Sequence, residues 1–478
     1  MKKLIVLILP VLLLASCAKD LGEYNIDEKN PVHVSAGSLF GNALKELSNN
    51  QTTPSVNVNV FRFWTQQLTA TTYQDEPRYN ITTRNIPLNY WTPFYREVLM
   101  DLNESRKITE VEKDLNPAVK NNRLAVLEVL NVYTWSVVVN TWGDVPYTEA
   151  LSTVNQPKYD KAADIYADLF KRLDAAIAIM TPGANFGSMD LLYNNNTAGW
   201  IKFAHSLKLK LAITLADVDE AAARTAIEAS APLAFTSNAD NAVFKYLGQT
   251  PNNNPISNSM NPALTSRQDY VAGKTLVDKL NTLNDPRRPY YFTAVDGKYI
   301  GGEIGVNNTY KSFSHVADAI IAQDFEAILL DYSEVEFILA EAAARWGVLG
   351  TPVLHYNNAI KASIAYWAKG LPATEIDAMA TAYLAQPAVA YLTATGNYKQ
   401  KIGEQKYLAL YNRGYDSWIE WRRLDFPVLA PAASALSVIP LRLTYPTSER
   451  TLNKANVESA ASSIGGDAVG TKLFWDKF

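Results

Sequence analysis

The stretch RLAVLEVLNVYTWSVVVN, residues 123–140, decides the fold class of this chain. It is apolar almost all round, whereas a helix on a protein surface keeps one polar face. We therefore predict a helix that is buried on every side. Gly143 and Pro146 follow it, in the order typical of helix stop signals. Glu128 and Asn131 interrupt the apolar run, and it is short, so we do not expect it to cross a membrane.

Outward from this stretch, further segments carry apolar residues at helical spacing. Their ranges are 165–177, 200–215, 328–346, 356–367 and 402–423. The pair 328–346 and 356–367 has about the size of a tetratricopeptide repeat, although its match to the repeat's residue pattern is degenerate. Strand signals are weak and local, at 241–246 and 298–300. We predict a mainly α fold, a degenerate tetratricopeptide-like scaffold of helix pairs with minor β.

One face of the segment 328–346 carries the acidic residues Asp331, Glu334 and Glu341. Acidic side chains are almost never fully buried unless they are paired. We therefore predict that these three carboxylates form a solvated helix face.

Residues for catalysis or metal binding are not grouped in the sequence. The histidines His33, His205, His315 and His355 are far apart, and none has the spacing of a metal ligand. Nucleophile-elbow and phosphate-loop motifs are absent from the sequence. We predict no enzyme activity, no metal ligands and no cofactor. The sequence leaves open whether a structural calcium ion is bound. A pair of distant carboxylates could still form a glycosidase site, which keeps a surface glycosidase as an alternative.

The N-terminus has the pattern of a lipoprotein signal peptide. Lys2 and Lys3 precede the apolar run 4–14, which is shorter than the roughly 20 residues that span a bilayer. Its length suits a signal peptide. The small residues Ala15 and Ser16 then lead directly into Cys17, the pattern read by the lipoprotein-processing peptidase. We predict that residues 1–16 are removed and that Cys17, the only cysteine, carries the lipid.

The remaining chain is predicted to form a tether, residues 17–35, and a single body, residues 36–478. Without a second cysteine the body has no disulfide and no thiolate metal cluster. The net charge is −4 for the whole chain, and it becomes more negative once Lys2 and Lys3 leave with the signal peptide. Basic residues are not clustered, so we expect no nucleic acid partner and membrane attachment through the lipid anchor alone.

Long polar loops interrupt the helical segments at 66–93, 248–267 and 285–313. Loops longer than about 12–15 residues without structure of their own tend to be functional or disordered. Polar loops of this length on a helical scaffold are typical of a binding surface.

Several short motifs occur in the order found in a known family. They are NTWGDVPY (140–147), WIKFAHSLKL (200–209), NDPR (284–287), FILAEAA (337–343), RLTYPTSE (442–449) and KLFWD (472–476). With these motifs the chain resembles the SusD/RagB family of Bacteroidetes outer-membrane nutrient-binding lipoproteins. It looks closer to the SusD-like subgroup than to the starch-binding protein that gave the family its name.

The resemblance implies a scaffold of four degenerate tetratricopeptide-like helix pairs, with a loop-rich half that presents the ligand surface. It also implies a lid on a SusC-like TonB-dependent transporter, which captures a nutrient and passes it inward without catalysis. Lys19 and Asp20, just after Cys17, resemble the short acidic signal for export to the cell surface. The expected location is therefore the outer membrane, lipid-anchored and facing the cell exterior.

A sugar ring packs its apolar face on an aromatic side chain, and its hydroxyl groups bond to amide and guanidinium groups at the rim. The same side chains suit an extended peptide. We therefore expect oligosaccharide as the ligand, with peptide or glycopeptide as the alternative within the same role, and a helical-repeat adhesin as a third class. The family's binding residues vary between members, so none is carried over. The loop positions that we predict to bind ligand are Trp64, Tyr73, Arg78, Tyr79, Trp91, Asn252 and Asn253.

Overall fold

The computed structural model describes residues 34–478. The predicted signal peptide, Cys17 and most of the predicted tether lie outside the described residues. Helix α1 begins at Ala36, where the Ser35 hydroxyl accepts a hydrogen bond from the Ser38 backbone N–H.

Helices make up most of the secondary structure of the described part. In chain order they are α1 (Ala36–Thr52), α2 (Phe61–Trp64), α3 (Ile86–Pro93), α4 (Met100–Val111), α5 (Pro117–Trp142), α6 (Ala162–Ile179), α7 (Thr197–Thr214), α8 (Glu220–Ser230) and α9 (Pro255–Met260). They continue with α10 (Lys274–Thr282), α11 (Arg288–Tyr291), α12 (Tyr332–Trp346), α13 (Pro352–Trp367), α14 (Ala373–Leu384), α15 (Tyr398–Ala409), α16 (Gly414–Leu424), α17 (Thr447–Leu452) and α18 (Lys454–Ser463). A π-helical turn, Phe94–Leu99, joins α3 to α4.

Consecutive helices pack as pairs, namely α5 with α6, α7 with α8, α12 with α13, and α15 with α16. Helix α1 packs against α4 in addition. This arrangement confirms the predicted mainly α fold of tetratricopeptide-like helix pairs. The segments predicted at 165–177 and 356–367 lie within α6 and α13.

Helix α5 contains the stretch 123–140 and is buried through almost its whole C-terminal two thirds. It alone among helices of the described residues is long and apolar enough to cross a membrane, and 89% of its most apolar window is buried in the fold. Gly143 ends it with φ at 87°, a conformation that favours glycine. A β-carbon there would also approach the Leu473 side chain to 3.1 Å, so this helix end packs tightly against the C-terminal segment.

Within residues 34–478, the strands form three two-stranded antiparallel ladders. Strand β1 (Leu68–Ala70) pairs with β5 (Tyr270–Ala272), β2 (Val145–Pro146) with β3 (Tyr159–Asp160), and β4 (Ala242–Phe244) with β6 (Ala327–Leu330). The strand predicted at 241–246 is therefore present as β4. The strand predicted at 298–300 is wrong, since Lys298 forms only a single bridge, with Val295.

Two other helix predictions need correction. The segment 402–423 is two helices, α15 and α16, because the chain breaks at 410–413, where Asn412 has a φ of 64°. The segment 328–346 begins as strand β6 and becomes helical only at Tyr332.

The predicted solvated acidic face on α12 is wrong. Asp331, Glu334 and Glu341 are 7%, 1% and 0% exposed. Glu334 lies 2.6 Å from Arg413, and Glu341 lies 2.6 Å from Arg423. Both arginines belong to the region around α16, which is distant in sequence, so the pattern of α12 alone could not reveal the pairing.

Candidate ligand-binding site

The three long loops meet at Thr71. Its backbone N–H donates to the Asp269 carbonyl at 3.0 Å, and its hydroxyl donates to the Gln268 carbonyl at 2.8 Å. The Thr71 carbonyl in turn accepts from the Asn308 N–H at 2.8 Å. One residue therefore links the loop 66–93 to the chain leaving 248–267 and to the loop 285–313. The β1–β5 ladder, with Ala70 opposite Tyr270, adjoins this junction.

The loop 248–267 is held against the segment that leads into β6. The Asn254 side chain donates to the Phe325 carbonyl at 2.6 Å, and its backbone N–H donates to the Gln323 carbonyl at 2.7 Å. The Asn261 side chain donates to the Ile321 carbonyl at 3.0 Å. These bonds lie at the two ends of the short helix α9 and fix its position, since neither end can move without breaking one of them.

A cavity of about 220 Å³ opens where these segments meet, and we call it the junction cavity. Met260, Val316 and Ile321 give it apolar lining. Its polar and aromatic lining residues are Ser259, Arg267, Gln268, Asp269, Tyr270, Thr293, Tyr310, His315 and Asp318. An apolar surface with a few polar groups is the usual composition of a small-molecule site.

Tyr310 and His315 form an aromatic wall of the junction cavity. Their rings stack with centroids 3.8 Å apart and an angle of 11° between planes. The His315 Nε2 donates to the Tyr310 carbonyl at 2.8 Å, and the His315 carbonyl accepts from the Thr293 N–H at 2.9 Å. Both rings stay partly exposed. A flat apolar surface is therefore held in place before any ligand arrives, which reduces the entropy lost on binding.

Three charged side chains line the cavity, and two of them neutralise each other. Arg267 Nε lies 2.5 Å from Asp269 Oδ2, and this hydrogen bond raises the pKa of Arg267. The third is the carboxylate of Asp318, which has no hydrogen-bond or ion-pair partner within residues 34–478. Burial, and then the charge of Asp318, raises the pKa of Tyr310, so this carboxylate lies close to the aromatic wall.

Tyr73 is a predicted binding residue whose ring the structure leaves accessible. It is 55% exposed, and the guanidinium of Arg84 lies 5.7 Å from its ring centre. Tyr73 follows Thr71 by two residues, and Thr71 bonds to Gln268 and Asp269 of the cavity lining. Tyr73 therefore stays a proposed contact for a longer ligand.

The two predicted tryptophans need correction, because both belong to the hydrophobic core. Trp64 is 0% exposed and packs edge-on against Phe61 and Trp418. Trp91 is 7% exposed and stacks on Tyr95 with ring centres 4.6 Å apart. Neither indole offers a free face to a ligand.

Tyr79 and Arg78 connect loops rather than line the cavity. The buried Tyr79 hydroxyl accepts from the Ala432 N–H at 2.9 Å, and Arg78 Nε donates to the Gly305 carbonyl at 2.7 Å. Their local role is to fix the loop 66–93 against the chain near 432 and near 305.

Asn252 and Asn253 also lie away from the lining of the junction cavity. Asn253 is buried, and its amide donates to Ser257 and Asn258 at 2.8 Å each. Asn252 is exposed, and its carbonyl accepts from the Leu247 N–H at 2.9 Å. The residue that anchors this loop to the segment before β6 is Asn254.

The cavity residues that the sequence reasoning missed are Arg267, Tyr310, His315 and Asp318. Arg267 and Tyr310 lie in loops whose length and polar composition predict a binding surface. That length and composition are the signal that could have identified the two residues. His315 and Asp318 follow the flagged range and enter the site only because 314–317 folds back beside Thr293.

Two other cavities, of about 360 Å³ each, are larger than the junction cavity, but neither is lined by a stacked aromatic pair. One includes Lys279, Tyr356 and Glu404, but Lys279 and Glu404 pair with each other at 2.6 Å and Tyr356 is 1% exposed. Another lies beside Gly143 and Phe474 at the C-terminal segment. Among residues 34–478, no three or more His, Cys, Asp or Glu side chains are grouped to hold a metal ion.

A scaffold of helix pairs that carries a preformed cavity between long loops defines a binding protein of the helical-repeat class. Residues 28–446 match the SusD-like family described as "Starch-binding associating with outer membrane". The chain belongs to this family, as the motifs from residue 140 onward predicted. Among curated proteins, none matches the sequence.

Solved structures show the same fold. A chitin-binding protein is 24% identical with a TM-score of 0.80, and the match covers 93% of this chain and 100% of that one. A SusD homologue from Bacteroides thetaiotaomicron is 24% identical with a TM-score of 0.76, over 93% and 100%. A chitin-binding SusD homologue from Flavobacterium johnsoniae is 22% identical with a TM-score of 0.75, over 92% and 98%.

Proposed function

We propose that this protein is a cell-surface lipoprotein, anchored through Cys17, that captures an oligosaccharide in the junction cavity and delivers it to a SusC-like TonB-dependent transporter. The observation that carries the proposal is the aromatic wall of Tyr310 and His315 in a cavity where three loops meet. Membership of a starch-binding family and the chitin-binding names of two similar structures support a glycan as the ligand.

The cavity has room for one sugar unit of an oligosaccharide, and the other units would lie outside it. Its volume of about 220 Å³ lies below the roughly 300–1,000 Å³ of pockets that enclose drug-sized ligands. A sugar ring would pack on the aromatic wall, and its hydroxyl groups would bond to Gln268, Thr293 and Ser259 at the rim. Neighbouring units would then extend toward Tyr73.

The test is calorimetry on the full chain, purified in a detergent without a sugar headgroup. Oligomers of N-acetylglucosamine, oligomers of glucose and peptides of equal length are titrated in turn. We expect saturable binding of a saccharide, weakened roughly tenfold, or about 1.4 kcal/mol, by Tyr310→Ala. Tyr391→Ala is the matched control, since Tyr391 is also half-buried but packs against Tyr356.

Binding of peptides alone would replace oligosaccharide by peptide as the cargo. The same samples are analysed for shortened saccharides after long incubation, because the proposal includes no catalysis. Release of products would overturn the non-enzymatic role and would direct attention to a carboxylate pair.

Delivery is tested in cells that depend on the captured glycan. Uptake of a labelled oligosaccharide should fall with Tyr310→Ala and stay unchanged with Tyr391→Ala, while both variants reach the outer membrane in equal amount. A transporter barrel should copurify with both variants. Failure of the unmodified protein to copurify with a barrel would contradict the delivery step and leave capture standing.

A further inference from the structure

Asp318 is placed to select the charge of the ligand. It lies on the turn 317–321, which is held at both ends, since the Ala317 N–H donates to the Tyr291 carbonyl at 3.0 Å and the Ile321 carbonyl accepts from Asn261 at 3.0 Å. The side chain is exposed, lines the junction cavity and lies near Tyr310. The backbone of the turn is therefore held in place, and Asp318 lines the same cavity as the aromatic wall.

The charge balance of the cavity lining is negative. Asp269 is occupied by Arg267, whereas Asp318 has no cationic partner within residues 34–478. No lysine lines the cavity. An arriving cation would meet one free carboxylate and no competing ammonium group of the protein.

We infer that the junction cavity selects an amino sugar with a free ammonium group and that Asp318 determines this specificity. The inference rests on the proposed capture of oligosaccharide. The sugar ring packs on Tyr310, and its ammonium group donates a charge-assisted hydrogen bond to the Asp318 carboxylate. An N-acetylated unit fits the same wall but carries no charge, so it lacks this interaction.

The size of the preference follows from the exposure of Asp318. Ion pairs at exposed positions are screened by water and salt, and they typically contribute little. We therefore expect an affinity difference of about threefold to tenfold at low ionic strength. The difference should shrink as salt is raised toward 1 M, where the screening length is about 3 Å.

The experiment titrates the full chain with a hexamer of glucosamine and with a hexamer of N-acetylglucosamine, at pH 6 and low salt. We expect the glucosamine hexamer to bind about threefold to tenfold more tightly. Asp318→Asn should abolish that difference, because the variant loses the interaction that only the glucosamine hexamer makes. Asp324→Asn is the matched control, since Asp324 is exposed six residues further along the chain and does not line the cavity.

Each contrary outcome overturns the inference in a recognisable way. Tighter binding of the N-acetylated hexamer, or a preference that survives Asp318→Asn, would contradict charge selection and leave glycan capture intact. If Asp324→Asn loses the preference to the same extent, the overall charge of the protein and not Asp318 determines the preference. If neither hexamer binds and a lysine-containing peptide does, the proposed glycan capture fails together with the inference.

Discussion

The interface of α7, α12 and α16 and the junction cavity differ in how they hold charged side chains. In the helical interface, Glu334 lies 2.9 Å from Lys210 and 2.6 Å from Arg413. Glu334 and Arg413 are buried, and the Lys210 side chain is only 13% exposed. At the cavity, Asp318 is exposed and has no partner within the described residues. A buried charge must be paired because its desolvation is costly. An exposed carboxylate bears no such cost, so it can be left free for a ligand.

The pairing of buried charges between the helices is reflected in the pKa values of the carboxyl groups. Burial alone would raise the pKa of Glu341, but the charge and hydrogen bonds of Arg423 lower it below its ordinary value. Glu420 shares Arg423 and also lies 3.0 Å from Lys406. These groups stay ionised in the core only because the helices bring opposite charges together, so they specify how α12, α15 and α16 fit against each other.

The largest effect is expected from Arg423→Ala. Arg423 donates to both oxygens of Glu341 at 2.6 Å and to Glu420 at 2.7 Å. Its removal leaves two buried carboxylates short of a partner, which should lower the free energy of unfolding by about 3–5 kcal/mol. Urea unfolding measures the loss. Arg224→Ala, which breaks an exposed pair with Glu228, should cost less than about 1 kcal/mol, and equal losses would contradict the comparison.

A loss of similar size is expected from Trp64→Ala, at a position that the sequence assigned to the ligand site. Removing a fully buried aromatic side chain costs about 3–5 kcal/mol. Tyr73→Ala, at 55% exposure, should change the free energy of unfolding by no more than about 0.5 kcal/mol. Thermal or urea unfolding separates the two variants. If the Trp64→Ala protein were stable but no longer bound ligand, Trp64 would be a ligand-binding residue after all.

A smaller and more local effect is expected from Asn261→Ala. The variant loses the bond to the Ile321 carbonyl, and it also loses the exposed bond that Asn261 Oδ1 accepts from the Ala263 N–H. The loss should cost about 1 kcal/mol. The turn 317–321 should then open more often, and amide hydrogen exchange at these residues should become faster. Asn252→Ala, whose side chain is exposed, should leave that exchange unchanged. Unchanged exchange in both variants would show that the loop junction is held by other contacts.

The smallest effect is the pH dependence that His355 gives to the scaffold. Its Nδ1 lies 2.7 Å from Glu336 and its Nε2 lies 2.6 Å from the Leu349 carbonyl. A carbonyl and a carboxylate both accept, so the two hydrogen bonds form together only when both ring nitrogens carry a proton. Burial alone would lower the pKa of His355, but these hydrogen bonds raise it above its ordinary value.

A raised pKa in the folded state stabilises the protein fully below the unfolded pKa, about 6.5 for histidine, and the contribution is lost as pH rises through the higher folded pKa. His355→Gln should therefore be less stable than the natural protein at pH 6, by about 0.5–1 kcal/mol, because burial of the ring offsets part of what the hydrogen bonds contribute. The difference should shrink at higher pH. Urea midpoints across this range measure it, and a difference that grew with pH would contradict the assignment.

The sequence predicted the helices well where the local pattern was strong. The all-round apolar stretch 123–140 required a buried helix, and α5 is that helix. The motifs NTWGDVPY and WIKFAHSLKL predicted the family, which the match over residues 28–446 confirms. The same local pattern misled at α12, because acidic residues look solvated until their partners are known.

The candidate site was predicted as a set of loops and not as residues. Composition identified the three loops, but the tryptophans chosen just before and within the first one, Trp64 and Trp91, lie in the core. Exposure of an aromatic ring depends on what packs over it, and Trp418 covers Trp64 from a helix more than 300 residues away.

By itself, the sequence determined the helical class, the most strongly patterned helices and the family, because helical periodicity and short motifs are local properties of the chain. Only the tertiary structure decided which loops adjoin and which charges stay free. Thr71 bonds to Gln268 and Asn308 across about two hundred residues, and Asp318 reaches the cavity because its turn is held by Tyr291 and Asn261. Contacts between residues so far apart leave no periodicity in the sequence, so the site could not be read from it.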